Sequence, residues 1–193
     1  RMPRPSKAFC AMADISSSST GNTRSSTSTT VTSDPKVLKL QGDRFQVQQR
    51  RSDLKNLLTA PEIDAIHLIT PIPLHAEQSL AVLNAAKHCA CTVPMATSIA
   101  ELQELVNAQR AQQKIFMMME TAVFTRGFLL AREMLSKGEM GRIQLLKGSH
   151  YQDMEGWPSY WNGLPPFHYG THAIAPMLAI ANTRATAVHC FGS

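Results

Sequence analysis

Two apolar periods alternate through the middle of this chain. Three short, nearly continuous runs, Ala65–Thr70 (AIHLIT), His88–Val93 (HCACTV) and Lys114–Met119 (KIFMMM), read as buried parallel strands. Between them the apolar residues fall at helical spacing. Ser52–Leu58 carries Leu54, Leu57 and Leu58 behind a Ser/Asp cap, and Pro61 stops it. Ala76–Lys87 turns Leu80 and Leu83 inward, and a third helix carries Ile99, Leu102, Leu105 and Val106. Ser98 and Glu101 form a capping-box pattern before that third helix. Strand and helix in alternation predict an α/β fold with a doubly wound parallel sheet. The turns Thr70–His75 and Thr92–Ala96 then share one sheet edge, the edge at which such folds bind ligands.

After Glu120 the pattern changes. A helix is predicted over Thr125–Lys137, with Phe128, Leu129, Met134 and Leu135 apolar, Gly138 as its cap and Gly141 in the next turn. Ile143–Tyr151 alternates loosely and reads as a strand; Ala187–Phe191 reads as another. Residues 152–170 form a structured loop, and Thr171–Asn182 a helix that tolerates Pro176. Upstream, Lys7–Ile15 reads as a short strand, and Ser16–Ser33 is almost wholly Ser and Thr, with too little to bury. The expected organisation is a poorly ordered segment over 1–50, a nucleotide-binding domain over 51–120 and the start of a second domain over 121–193. Arg1 and Ser193 read as cut ends.

Charge sharpens the division. The net charge is +5, yet residues 51–193 hold eleven Lys/Arg and eleven Asp/Glu; the excess lies in 1–50, with eight against three. A neutral folded part argues against a nucleic-acid partner. No apolar run nears the ~20 residues that span a bilayer, so no membrane partner is expected. Cys89 and Cys91 share one strand face and read as small core residues in a reducing cytoplasm, not as a redox or metal pair. The Met117–Met119 run reads as core packing.

Candidate chemistry is unevenly spread. No GxGxxG and no GxxxxGK[ST] phosphate loop occurs. If Lys7–Ile15 is the second strand of a dinucleotide fold, Asp14 stands where an acid takes the adenosine ribose hydroxyls; a turn or cap role is the alternative. The denser constellation is His168-Tyr169-Gly170-Thr171-His172. His172 at a helix start can take a hydroxyl proton as hydride leaves the same carbon. A core or capping role stays open, as does zinc, although the HExxH glutamate is absent and Gly170 disfavours one helix through both histidines. His150, Asp153, Trp157, Tyr160 and Trp161 offer rings and polar groups suited to a polyhydroxylated substrate; the alternative is a loop packed on its own domain.

These residues carry a resemblance. The strand-TPxxxH turn, the strand-xxP turn, the Met-rich strand ending in Glu120 and the GxxGRI turn at Gly138–Ile143 together resemble the glucose–fructose oxidoreductase / inositol dehydrogenase (Gfo/Idh/MocA) family, from about Asp53 to Ser193. The resemblance implies an N-terminally incomplete Rossmann-type domain followed by the start of an α/β domain with an open sheet. It implies NAD or NADP, a sugar or cyclitol substrate and a homo-oligomer in the full-length protein. Thr70, Pro71 and His75 match the family turn beside the cofactor, Pro94 the proline of its EKP motif, and Glu120 is placed on the cofactor side. His172 matches the acid/base histidine of DxGxH, with His168 and Tyr169 beside it.

The departures are as informative. Val93 stands at the EKP lysine, Thr92 at its glutamate and His168 at the DxGxH aspartate. Valine can neither contact a ribose hydroxyl nor move a proton. These same departures resemble the branch containing NAD-dependent glycosidases acting on α-N-acetylgalactosamine, which cleave without net redox change. Three expectations follow: an NAD(P)-dependent sugar or cyclitol oxidoreductase, a redox-neutral glycoside hydrolase, or an inactive chain without a phosphate loop.

Overall fold

The computed structural model describes residues 10–13, 29–32, 34–157, 161, 163 and 165–191. They fall into two compact units. One holds the chain up to Met119 together with Trp161; the other holds Glu120–Trp157 and the chain from Gly163.

The first unit is a six-stranded sheet. Its strands are β1 (Cys10–Ala13), β2 (Thr29–Val31), β3 (Gln49–Arg51), β4 (Ala65–Ile69), β5 (His88–Thr92) and β6 (Phe116–Met119). Their order is β3-β2-β1-β4-β5-β6, the strand order of a doubly wound dinucleotide fold. β2 and β3 pair in parallel, as do β4, β5 and β6. β1 is the exception, antiparallel to both of its neighbours.

Four helices belong to this unit: α1 (Pro35–Arg44), α2 (Lys55–Leu58), α3 (His75–Asn84) and α4 (Ile99–Gln112). Three of them start where the sequence supplies a capping side chain. Asp34 accepts from the Lys36 and Val37 amides with Pro35 at the first helical position. Asp53 accepts from the Lys55 amide. Ser98 and Glu101 make both bonds of the capping box. The core between sheet and helices joins Ile66, Leu68, Cys89 and Cys91 from the strands to Leu57, Val82, Leu83 and Leu105 from the helices.

Several expectations need correction. Regular structure begins well before Ser52. Within the stretch expected to be poorly ordered, Thr29–Val31 is a buried strand, α1 follows, and β3 precedes Ser52. Hydrophobicity misses this part because Thr29, Thr30 and Thr32 are buried threonines, β-branched and so suited to a strand. α1 in turn leaves Leu40 exposed and rests on β2 and β3. The strand expected over Lys7–Ile15 is described at Cys10–Ala13, and it lies beside β2 and β4 rather than serving as the second strand of the fold. Of α4's expected apolar face only Leu105 is buried; Ile99 is exposed.

The second unit contains α5 (Arg126–Ser136) and α6 (Thr171–Ala181), joined to short 3-10 turns at Thr121–Phe124 and Pro166–Tyr169. Gly138 takes φ 75° just past α5, and the amides of Gly138 and Glu139 reach back to Leu135 and Met134. The strands expected at Ile143–Tyr151 and Ala187–Phe191 are not formed. A strand needs a hydrogen-bonded neighbour, and among the described residues neither stretch has one; Leu145, Tyr151, Val188 and Phe191 lie exposed. Gly148 instead approaches α6 so closely that a Cβ there would lie 2.4 Å from the Ala173 carbonyl oxygen.

Two consequences of burial can be measured. Cys89 and Cys91 are buried beside the Ser79 hydroxyl, and burial pushes their thiols up to about 12 and about 11. Iodoacetamide at mildly alkaline pH is therefore expected to modify exposed Cys190 and spare these two until the chain is denatured. Peptide mapping by mass spectrometry reads the outcome directly.

His67 sits on the β4 face opposite Ile66 and Leu68, with its Nε2 buried and unpartnered among the described residues. Burial lowers its pKa from 6.5. Below that value the unfolded chain binds a proton that the folded chain resists, so stability falls as pH falls through this range. His67→Gln is expected to flatten that acid limb in urea melts recorded at successive pH values.

Candidate active site

The first unit brings two turns together at the carboxyl ends of β4 and β5. His75 opens α3 and is 1% exposed. Its Nδ1 lies 2.6 Å from the Pro94 carbonyl oxygen and its Nε2 2.7 Å from the Thr70 carbonyl oxygen. Either tautomer donates to one of the two turns, and the ring spans both. The Thr92 hydroxyl lies 3.4 Å from Nε2. Pro71 leads into the turn at Ile72–Leu74 that precedes α3. The Thr70 hydroxyl is buried without a partner among the described residues. Val93, at the position of the expected lysine, is buried.

The second unit holds a different cluster. Glu120 caps the turn Thr121–Phe124 by accepting from the Ala122 amide through Oε1. The same oxygen lies 2.6 Å from His172 Nδ1, and the two side chains are only 6% and 12% exposed. A charge-assisted bond of this length in a buried setting is among the stronger single contacts a protein makes. The ring of Tyr169 stands edge-on to His172, centroids 4.8 Å apart at 89°. His150 closes the group at 4.9 Å from His172 and 5.6 Å from Tyr169. The other Glu120 oxygen, Oε2, is buried without a partner among the described residues.

The expected site residues fall in two groups, one within each unit. His150, Tyr169 and His172 gather in one cluster, and Thr70, Pro71, His75 and Pro94 in one pair of turns. Glu120, expected on the cofactor side, lies 2.6 Å from His172 Nδ1. No spacing rule announces this pair, because 52 positions separate its members. His168 lies in the turn Pro166–Tyr169, outside α6, so the two histidines do not share the helix that an HxxxH zinc site needs. Asp153 accepts from the Glu155 amide in its own loop. Trp157 and Trp161 are half-buried. Asp14 and Tyr160 lie outside the described residues.

One buried group escaped the sequence entirely. Lys87 is 6% exposed and donates to the carbonyls of Ala60 and Ile63. Its role is local, satisfying the chain reversal that follows α2.

The model of the Gfo/Idh/MocA oxidoreductase family, NAD-binding Rossmann fold, matches residues 8–120. That match begins inside the N-terminal stretch, well before Asp53. A glycosyl hydrolase family 109 protein of Phocaeicola vulgatus is 28% identical over 137 residues, which cover 66% of this chain and 29% of that protein. A solved levoglucosan dehydrogenase, in complex with NADH and levoglucosan, is 26% identical with a TM-score of 0.55, covering 60% of this chain and 31% of that one. The myo-inositol 2-dehydrogenase of Lactobacillus plantarum shares the fold, with a TM-score of 0.70 at 18% identity over 80% of this chain and 48% of its own. This chain spans less than a third of the first two relatives. Matched over more than half its length, and with the strand order of a dinucleotide fold, the chain belongs to the Gfo/Idh/MocA family of oxidoreductases.

Proposed function

We propose that this chain serves an NAD(P)-dependent oxidoreductase that acts on a sugar or cyclitol, with His172 as the acid/base. The observation that carries the reading is the buried Glu120–His172 pair. With Oε1 of Glu120 accepting the hydrogen on Nδ1, the lone pair is left on Nε2, which is the atom that takes the proton of a substrate hydroxyl. Tyr169 and His150 restrict how the imidazole can turn.

The family's cofactor suits the ends of β4 and β5. The buried Thr70 hydroxyl lacks a partner among the described residues, and His75 bridges the two turns. When bound, NAD(P) supplies the hydride acceptor. The protein's own part is to hold the turns and to move the proton at His172 Nε2. Levoglucosan, bound with NADH in the 26% identical levoglucosan dehydrogenase, supports this substrate class. The test is to incubate the full-length protein with NAD or NADP and a panel of sugars and cyclitols, following absorbance of the reduced cofactor. No turnover with any of them, together with no cofactor binding by calorimetry, would sink the reading.

A second reading has its own support. Val93 replaces the expected lysine and is buried, and the glycosyl hydrolase family 109 relative is among the similar proteins. In this reading the same His172 serves a glycosidase that keeps its cofactor and shows no net redox change. Release of a chromogenic aglycone without accumulation of reduced cofactor separates it from the first.

A further inference from the structure

Oxidation of an alcohol releases a hydride and a proton. Hydride leaves the carbinol carbon for the oxidised cofactor, the hydroxyl proton passes to His172 Nε2, and the carbon–oxygen bond becomes a carbonyl. Each turnover therefore leaves one proton on His172, which must go before the next begins. The ring is poorly placed to release it. The His172 and Glu120 side chains are only 12% and 6% exposed, and Glu120 Oε1 holds the Nδ1 hydrogen across 2.6 Å. The added proton has to leave from Nε2, the atom on which it arrived.

His150 stands beside this ring, with centroids 4.9 Å apart and planes tilted by 44°. At that spacing a proton passes between imidazoles directly or through one water. Both rings belong to the second unit, as do Glu120 and Tyr169. Unlike His172, His150 is exposed, and a different partner sets its tautomer. Its Nε2 lies 3.1 Å from Oε1 of Gln152, which is exposed as well. An amide oxygen only accepts, so Nε2 of His150 carries the hydrogen and Nδ1 keeps the lone pair. The neighbours thus hold opposite tautomers. His172 offers a proton from Nε2, and His150 can take it on Nδ1.

We infer that His150 carries the proton from His172 to solvent, and that Gln152 is the positioning residue that gives the transfer its direction. The inference rests on reading His172 as the acid/base. His150 Nδ1 gains the hydrogen that His172 Nε2 gives up, and His150 becomes an imidazolium. Its Nε2 then gives a hydrogen to water or buffer, and exchange with solvent returns the ring to the tautomer that Gln152 favours. His150, expected among the groups that bind substrate, acts here through His172.

Long-range proton–nitrogen NMR spectra of the histidine-labelled 193-residue chain read the tautomers with neither cofactor nor substrate present. At pH about 8, above the ordinary imidazole range, His172 is expected to carry its hydrogen on Nδ1 and His150 on Nε2. Gln152→Ala is expected to leave His150 as a mixture and His172 unchanged. Any other state of either ring in the native chain overturns the inference. In the full-length protein, with a sugar or cyclitol that it oxidises, His150→Ala is expected to lower kcat by about 10²-fold in dilute buffer, with KM unchanged. Added imidazole is expected to restore the rate in proportion to its concentration and to leave the native rate alone. A loss that imidazole does not rescue, a native rate in His150→Gln, or a raised KM at native kcat overturns the relay. If the oxidoreductase reading itself fails, the unmodified protein shows neither turnover nor cofactor binding. The relay then falls with it, through a result that no His150 variant is needed to see.

Discussion

His172→Ala in the full-length protein is expected to lower kcat by about 10²- to 10⁴-fold with little change in KM, the usual worth of a positioned acid/base. Glu120→Gln tests the same site from the other side. It keeps the size of the side chain and still accepts through its amide oxygen, but loses the charge that favours a hydrogen on Nδ1. About a tenfold to hundredfold loss in kcat is expected, with the low-pH limb of the pH–rate profile displaced. Glu120→Asp keeps the charge on a shorter arm and should recover part of the rate. If Glu120 served only to cap the turn at Thr121–Phe124, both variants would share the native pH profile.

The second large effect concerns stability. His75→Leu is expected to cost about 2–4 kcal/mol, because two buried backbone carbonyls, Thr70 and Pro94, lose the ring that faces them. Leucine matches the histidine roughly in volume, so the loss reports hydrogen bonding more than cavity formation. The midpoint of urea unfolding measures it. An unchanged midpoint would mean that the ring fills space and no more. A cofactor affinity that drops further than the stability loss accounts for would mean that the clamp also shapes the turns.

Much of the first unit was legible in the sequence because its signals are local. The β4, β5 and β6 runs are apolar and short, and Ser98–Glu101 announces α4 within four residues. The same reasoning failed upstream, where β2 is made of buried threonines and α1 depends on an Asp34-Pro35 start more than on an apolar stripe. Local reading also failed at Ile143–Tyr151, since a strand is a property of pairs and its alternation found no neighbour among the described residues. The site was half legible. His172 and Tyr169 stood out as chemistry-bearing residues near a helix start. The link of His172 to Glu120 spans a whole loop and a helix, and no spacing rule reaches that far.

The reversed β1 also shapes how this sheet opens. β3 and β2 form one parallel block, and β4, β5 and β6 another; the two are joined in the sheet through a single four-residue strand. Each ladder of β1 holds three registered residue pairs, fewer than the four between β4 and β5. Most of the core side chains belong to the second block and the helices around it. β1 is therefore a seam. Partial unfolding that begins there frees the first block while Ile66 to Met119 keeps its own buried interior, and amide protection should divide along that line.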